Sequence, residues 1–408
     1  MPMARSRGRA APALERIALF DYGFRPFFLA AGAYGALSIL AWVCTYWGAL
    51  ALPIEWPGVL WHGHEMVFGF AAAGLAGFML TAVPNWTGER AERGAMLLAL
   101  SLGWLAGRVV LWVSAAVPAP AVALIDLAFI PSLGAAVGRG LIAGLAKTGP
   151  RNLIFLALLA LFWSGDLLTH LDALGICPGI ALTGLHLGID VLLLAITIVG
   201  GRIIPAFTAN ALRKAGSVRL PRAAAPLDAA AILSMAVFLV VDVALGSGRV
   251  LGAVALLAAA LNGVRLALWR PLSTLRDPLL AVLHLGYGWL VLGLLLSAAA
   301  GLSEGEILAP TAALHALTAG AIGTMLLAVM SRAALGHTGR PLVASPPTVA
   351  AYALLSLGAA LRIVAPLLGG SGTAALAAAG ALWALAMILF TAVYAPILTR
   401  ARTDSLKS

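Results

Sequence analysis

Charge is scarce in this chain of 408 residues: 10% of positions are charged, well under the quarter or so found in soluble domains. Little of the chain can therefore be a water-soluble domain. Cysteine occurs only at Cys44 and Cys177, which excludes a disulfide scaffold and allows at most one bridge; both fall near the outer ends of apolar runs and are expected to be unpaired. There is no glycine-rich phosphate loop and no nucleophile triad, so kinase and hydrolase readings drop out. Nor is there a small-residue cleavage site after a short apolar core, and the basic stretch with Arg5, Arg7, Arg9 and Arg16 reads as a cytoplasmic tail. What is abundant is hydrocarbon, with 62% hydrophobic residues.

Windows of roughly twenty apolar residues, the length that crosses a bilayer, divide the chain into twelve spans, at residues 26–48, 59–83, 95–113, 117–146, 152–172, 179–207, 227–245, 250–269, 278–300, 308–332, 346–368 and 373–397. The fold class is all-α: a polytopic integral membrane protein of twelve transmembrane helices. It comprises a cytoplasmic N-terminal tail (1–25), a transmembrane domain (26–398) and a cytoplasmic C-terminal tail (399–408). Pro131 and Pro205 lie inside long spans and predict kinks or tilts there.

The net charge of +10 is not a nucleic-acid surface, because the basic residues sit in short loops. Arg90, Arg93, Lys147, Arg151, Arg213, Lys214, Arg219, Arg270, Arg276 and Arg340 all follow even-numbered spans, whereas the opposite side carries Arg249 alone. Such asymmetry marks the basic side as cytoplasmic, with both termini inside.

Seven histidines then fall into order. His62 and His64 open the second span, His170 closes the fifth, and His186 and His315 lie early in the sixth and tenth. At about 1.5 Å of rise per residue, all five stand within roughly 10 Å of the outer boundary. Imidazoles converging at one depth are what a metal or haem site in a helix bundle requires. On a helix of about 3.6 residues per turn His62 and His64 point apart, so the second span can serve two centres; spacing puts Glu65 on the face of His62.

The fifth and sixth spans form a hairpin in which Asp166 and His170, and His186 and Asp190, are each four apart. Carboxylates so placed can orient a ligating imidazole or pin two helices together. His284 lies deeper, as a ligand or proton-path group, and His337 falls in a cytoplasmic loop. Arg108 and Arg362, inside spans, can pair with haem propionates or with Asp126 and Asp242. Thr318, Gly320 and Gly323 around His315 allow either close helix packing or a flat macrocycle. Met66, Met79, Met325 and Met330 read as core filling, although thioethers suit Cu(I).

Histidine in the outer part of spans two, six and ten suggests three pseudo-repeated four-helix units. This placement resembles the haem-copper oxidase catalytic subunits, but departs from them at the seventh span, which has no histidine. A closer resemblance runs through Asp21-Tyr22-Gly23-Phe24-Arg25-Pro26-Phe27-Phe28, Trp61 to Gly69, Leu80 to Gly88, Gly200 to Thr208, Leu283 to Tyr287, Leu314 to Met325 and Ala328 to Arg340. In these motifs the chain resembles the NnrS family, bacterial inner-membrane proteins that contain haem and copper and are associated with nitric oxide and nitrosative stress.

The resemblance implies a haem-copper protein that binds or acts on nitric oxide, leaning toward an oxidoreductase that reduces it to nitrous oxide in denitrification or stress defence. Haem of b type and copper are the implied cofactors, with His62, His64, His170, His186, His284 and His315 as candidate metal ligands and Arg108 and Arg362 as cofactor-binding groups. Electrons would come from quinol or a periplasmic donor, and protons through Glu65, Asp166 and Asp190. Two other readings fit the residues: a proton-coupled secondary transporter, and a haem protein that senses or sequesters nitric oxide without turnover.

Overall fold

The computed structural model describes residues 17–403, and among them there are helices and no strand. Twelve helices are long and apolar enough to cross a membrane. We number them α1 (Phe24–Tyr46), α2 (Gly58–Thr87), α3 (Ala95–Trp112), α4 (Ala119–Ala143), α5 (Pro150–Ala173), α6 (Ala181–Lys214), α7 (Ala225–Leu245), α8 (Arg249–Leu268), α9 (Pro278–Leu302), α10 (Pro310–His337), α11 (Pro346–Leu367) and α12 (Gly369–Thr399). The expected spans are all present. The tail at residues 1–16 lies outside the described residues.

The main differences are at the basic ends. The expected exit loops at residues 84–88 and 200–205 are helical as far as Thr87 and through Lys214. His337, expected in a loop, is the last residue of α10, its ring 5.6 Å from that of Phe24. Apolar length sets only what lies in hydrocarbon; an α-helix continues into the headgroup region wherever its residues tolerate it. α2 stops where Gly88 adopts a left-handed φ of 72°, a conformation that glycine reaches without penalty.

The two prolines act differently. α6 runs without interruption through Pro205, whereas α4 breaks between Leu127 and Phe129. Pro131 has no N–H to offer the carbonyl four residues back, that of Leu127. The Trp163 indole donates to this oxygen instead, at 3.0 Å. A freed carbonyl in lipid demands such a partner, and the break leaves Asp126 on the last turn of the first half.

Sequential helices pack as hairpins, and α1 also packs against α12, bringing the first and last spans together. Arg25, fully buried, donates from Nη1 to the carbonyls of Leu398 (2.8 Å) and Arg400 (2.6 Å). The start of α1 and the end of α12 therefore share one end of the bundle. α2 is the central element: most of its apolar stretch is buried, whereas most of α7 and of α12 is not. Its run of small residues from Gly69 through Ala71, Ala72, Ala73 and Gly74 to Ala76 and Gly77 lets neighbours approach on all sides, which is how helices associate where no hydrophobic force separates protein from lipid.

Candidate metal centre

The first turns of α2 deliver two histidines in opposite directions. His64 is fully buried and turns toward α4 and α5; His62 is half-buried and stacks on Trp42 of α1, with centroids 4.8 Å apart and planes 8° from parallel. Immediately after His64 the helix widens to a π-helix from Glu65 to Ala71. The same happens in α10, where Ala316–Ile322 is π-helical directly after His315. A π turn re-aims the side chains before it relative to those after it, and such turns concentrate at functional sites. Each is braced by an indole: Trp104 donates to the Gly69 carbonyl at 3.0 Å, and Trp383 to that of Ala319 at 3.4 Å. α6 has no such turn.

Around His64 a closed polar centre forms. Its Nε2 lies 2.8 Å from Asp166 Oδ1 and 3.2 Å from Asp126 Oδ2. His170 Nε2 lies 3.0 Å from the same Asp126 oxygen and 3.9 Å from Asp166 Oδ1. His64, Asp126, Asp166 and His170 thus present one donor atom each, all within 4.8 Å of one another, and all four residues are buried. His64 Nδ1 donates to Glu65 Oε1 at 3.1 Å, which Arg108 Nη1 also reaches at 2.7 Å, while Arg108 Nη2 pairs with Asp126 Oδ1. Trp56 covers both histidines edge-on, at 4.9 and 5.2 Å.

Two expectations change here. Glu65 belongs with His64 and not with His62, because the two are held by one turn of widened helix rather than by regular i, i+3 spacing. The hairpin of α5 and α6 does not join its two His/Asp pairs either. Asp166 and His170 face α2 and α4, whereas His186 Nδ1 meets Asp242 Oδ2 of α7 at 2.7 Å, and Asp190 lies within electrostatic reach of the same Asp242.

The α5–α6 crossing is nevertheless tight beside the centre. A Cβ at Gly165 would sit 2.7 Å from the Gly184 carbonyl and 3.1 Å from the Gly188 nitrogen, and one at Gly188 would strike Phe68, whose ring lies 5.2 Å from that of His64. Gly165→Ala is expected to cost about 1–3 kcal/mol by overpacking, seen as a lower unfolding temperature in detergent; an unchanged temperature would show that the crossing has slack.

On the other side of α2, His62, His315 and Arg362 come within electrostatic reach of one another. His62 Nδ1 is buried without a partner. His315 Nδ1 donates to the Thr311 carbonyl at 2.7 Å, leaving Nε2 as the free nitrogen. The space beside Gly320 and Gly323 is filled by Trp289 and Trp383, so these glycines serve close packing. His284 stands apart, with Nε2 3.0 Å from Thr208 Oγ1 and Nδ1 unpartnered. Of the partners open to Arg108 the structure has the carboxylates, and Arg362 lies near His62 and His315 instead of Asp242. Cys44 and Cys177 are free and exposed, and Met79, Met325 and Met330 are core.

Asp126 and Asp242 are the site residues that sequence reading weighed only as partners for arginine. A lone carboxylate inside an apolar span was the available signal.

Fold and site together define a polytopic α-helical membrane protein with imidazoles and carboxylates gathered inside the bundle. Residues 18–402 match the family model described as NnrS protein, and the chain belongs to that family. This makes it a membrane protein connected with nitric oxide, in a family known for haem and copper binding. No curated relative matches the chain.

Proposed function

We propose that the protein binds nitric oxide inside the bacterial inner membrane, with haem and copper as cofactors, in denitrification or defence against nitrosative stress. The observation that carries this reading is the pair His62 and His315, set on two helices with a matching π turn after the ligand-bearing segment, in a chain of the NnrS family. The donor set fits both groups: neutral imidazole suits haem iron and copper alike, His62 Nδ1 lacks any partner, the Thr311 carbonyl fixes the His315 tautomer, and Arg362 supplies a cation for a carboxylate. When bound, the cofactors would supply the coordination site for nitric oxide and the electrons.

The bundle also offers an apolar space. A cavity of about 70 Å³ between α1, α2, α5, α6 and α10 is lined by hydrophobic side chains and glycine, among them Gly74, Leu192, Gly200 and Met325. An apolar diatomic dissolved in the bilayer partitions into such a space.

A finer reading, reduction to nitrous oxide, is favoured by a buried carboxyl group. Two NO, two electrons and two protons give N₂O and water, and Asp190 Oδ2 is buried without a hydrogen-bond partner, a position that holds a proton better than a charge. Quinol or a periplasmic donor would supply the electrons. The charge pattern of the loops supports an orientation with both termini in the cytoplasm.

An optical spectrum of the purified protein, oxidised and reduced, with and without nitric oxide, tests the proposal. The expected result is a Soret band that moves with nitric oxide, copper in the same sample, and at least about a tenfold loss of the band in His315→Ala. A colourless, copper-free preparation after haem and copper supplementation would overturn it. Nitrous oxide evolution decides between turnover and binding alone.

A further inference from the structure

We infer that the closed centre of His64, Asp126, Asp166 and His170 holds a third inorganic group: a divalent first-row ion of the iron(II), manganese(II) or zinc(II) kind, distinct from haem and from copper. This goes beyond the reading above and does not rest on it.

Size comes first. For an ion with donors at about 2.0–2.1 Å, the edges of a tetrahedron are about 3.3 Å and the adjacent edges of an octahedron about 3.0 Å. The observed donor separations are 2.8, 3.0, 3.2 and 3.9 Å. All four donors lie within 4.8 Å of one another, so an ion would be held once they draw together around it.

Orientation comes second. Asp126 is held from behind, its Oδ1 on Arg108 and its Oδ2 toward the centre. His64 is held likewise, its Nδ1–H on Glu65 and its Nε2 inward. A carboxylate behind an imidazole fixes the tautomer that ligates and raises its basicity.

Charge decides the class of ion. With both imidazoles neutral, the carboxylates of Glu65, Asp126 and Asp166 face one guanidinium, Arg108. Two negative charges remain inside a bundle where unpaired charge is costly, and one divalent cation meets them. Copper that cycles through Cu(I) brings half that charge and prefers sulfur, and no cysteine belongs to this donor set. Nitrogen and oxygen donors together with two formal charges suit the harder divalent ions.

The test is metal analysis of the intact protein purified in detergent, with haem quantified separately so that non-haem iron is obtained by difference. About one non-haem, non-copper divalent ion per chain is expected. Asp166→Asn and His170→Gln are expected to lower its occupancy at least about tenfold while haem and copper stay at wild-type levels, and His315→Ala is expected to retain it. For variants that fail to fold, the wild-type protein gives the answer: after chelation, adding iron(II), manganese(II) or zinc(II) one at a time should raise the unfolding temperature, and Cu(I) should not. Copper falling in step with Asp166→Asn, or no stabilisation by any of the three ions and none in the purified protein, would overturn the inference. A null result of that kind leaves the nitric oxide reading standing, since haem and its nitric oxide response are read from the same sample.

Discussion

Replacing Arg108 by Met is expected to cost about 3–5 kcal/mol, the penalty for leaving buried charge uncompensated after one partner of an ion pair is removed. The guanidinium is fully enclosed and spans two carboxylates, Nη1 on Glu65 at 2.7 Å and Nη2 on Asp126. Without it, α3 loses its tie to α2 and α4, and the carboxylates must take up protons or draw in water. The variant should accumulate poorly in membranes and unfold at a much lower temperature. Arg108→Lys should recover only part of the loss, because a single ammonium cannot reproduce the two-pronged contact. Asp126→Asn in the Met background should recover stability by removing the stranded charge. A Met variant as stable as the wild type would mean that the carboxylates are neutral in the folded protein and that the ion pair is not a structural tie.

The second large effect separates two histidines that stand two residues apart. His62→Ala is expected to remove the nitric oxide-sensitive absorption and leave the divalent ion in place, since His62 lies within electrostatic reach of His315 and Arg362. His64→Ala is expected to do the reverse, emptying the closed centre while the spectrum persists, since His64 faces Asp126, Asp166 and His170. Loss of a ligand or of the group that orients it typically lowers metal affinity at least about tenfold to a hundredfold, so spectra and metal content of the two purified variants suffice. Both variants losing both signals would show one centre where the geometry has two.

Much of this was legible in the chain. Apolar length alone gave the twelve spans, because a bilayer imposes one thickness on every helix that crosses it, and the helical period alone sent His62 and His64 to different places. The lone polar residues inside spans, His64, Arg108, Asp166, His170 and His186, were marked by their cost in hydrocarbon. The motifs pointed to the family that the whole-chain match then established.

Which of these groups meet was a matter for the tertiary structure. Asp126 and His170 lie on different spans from His64, and spacing along a helix says nothing about which neighbour a face will find; that depends on packing choices such as Gly165 against Gly184 and Gly188. The widened turns after His64 and His315 left no trace in the hydrophobic period, since a π turn is stabilised by distant donors such as Trp104 and Trp383. Sequence fixed the depth of each polar group through the cost of burying it, whereas the partners were set by helix packing, which only the folded bundle contains.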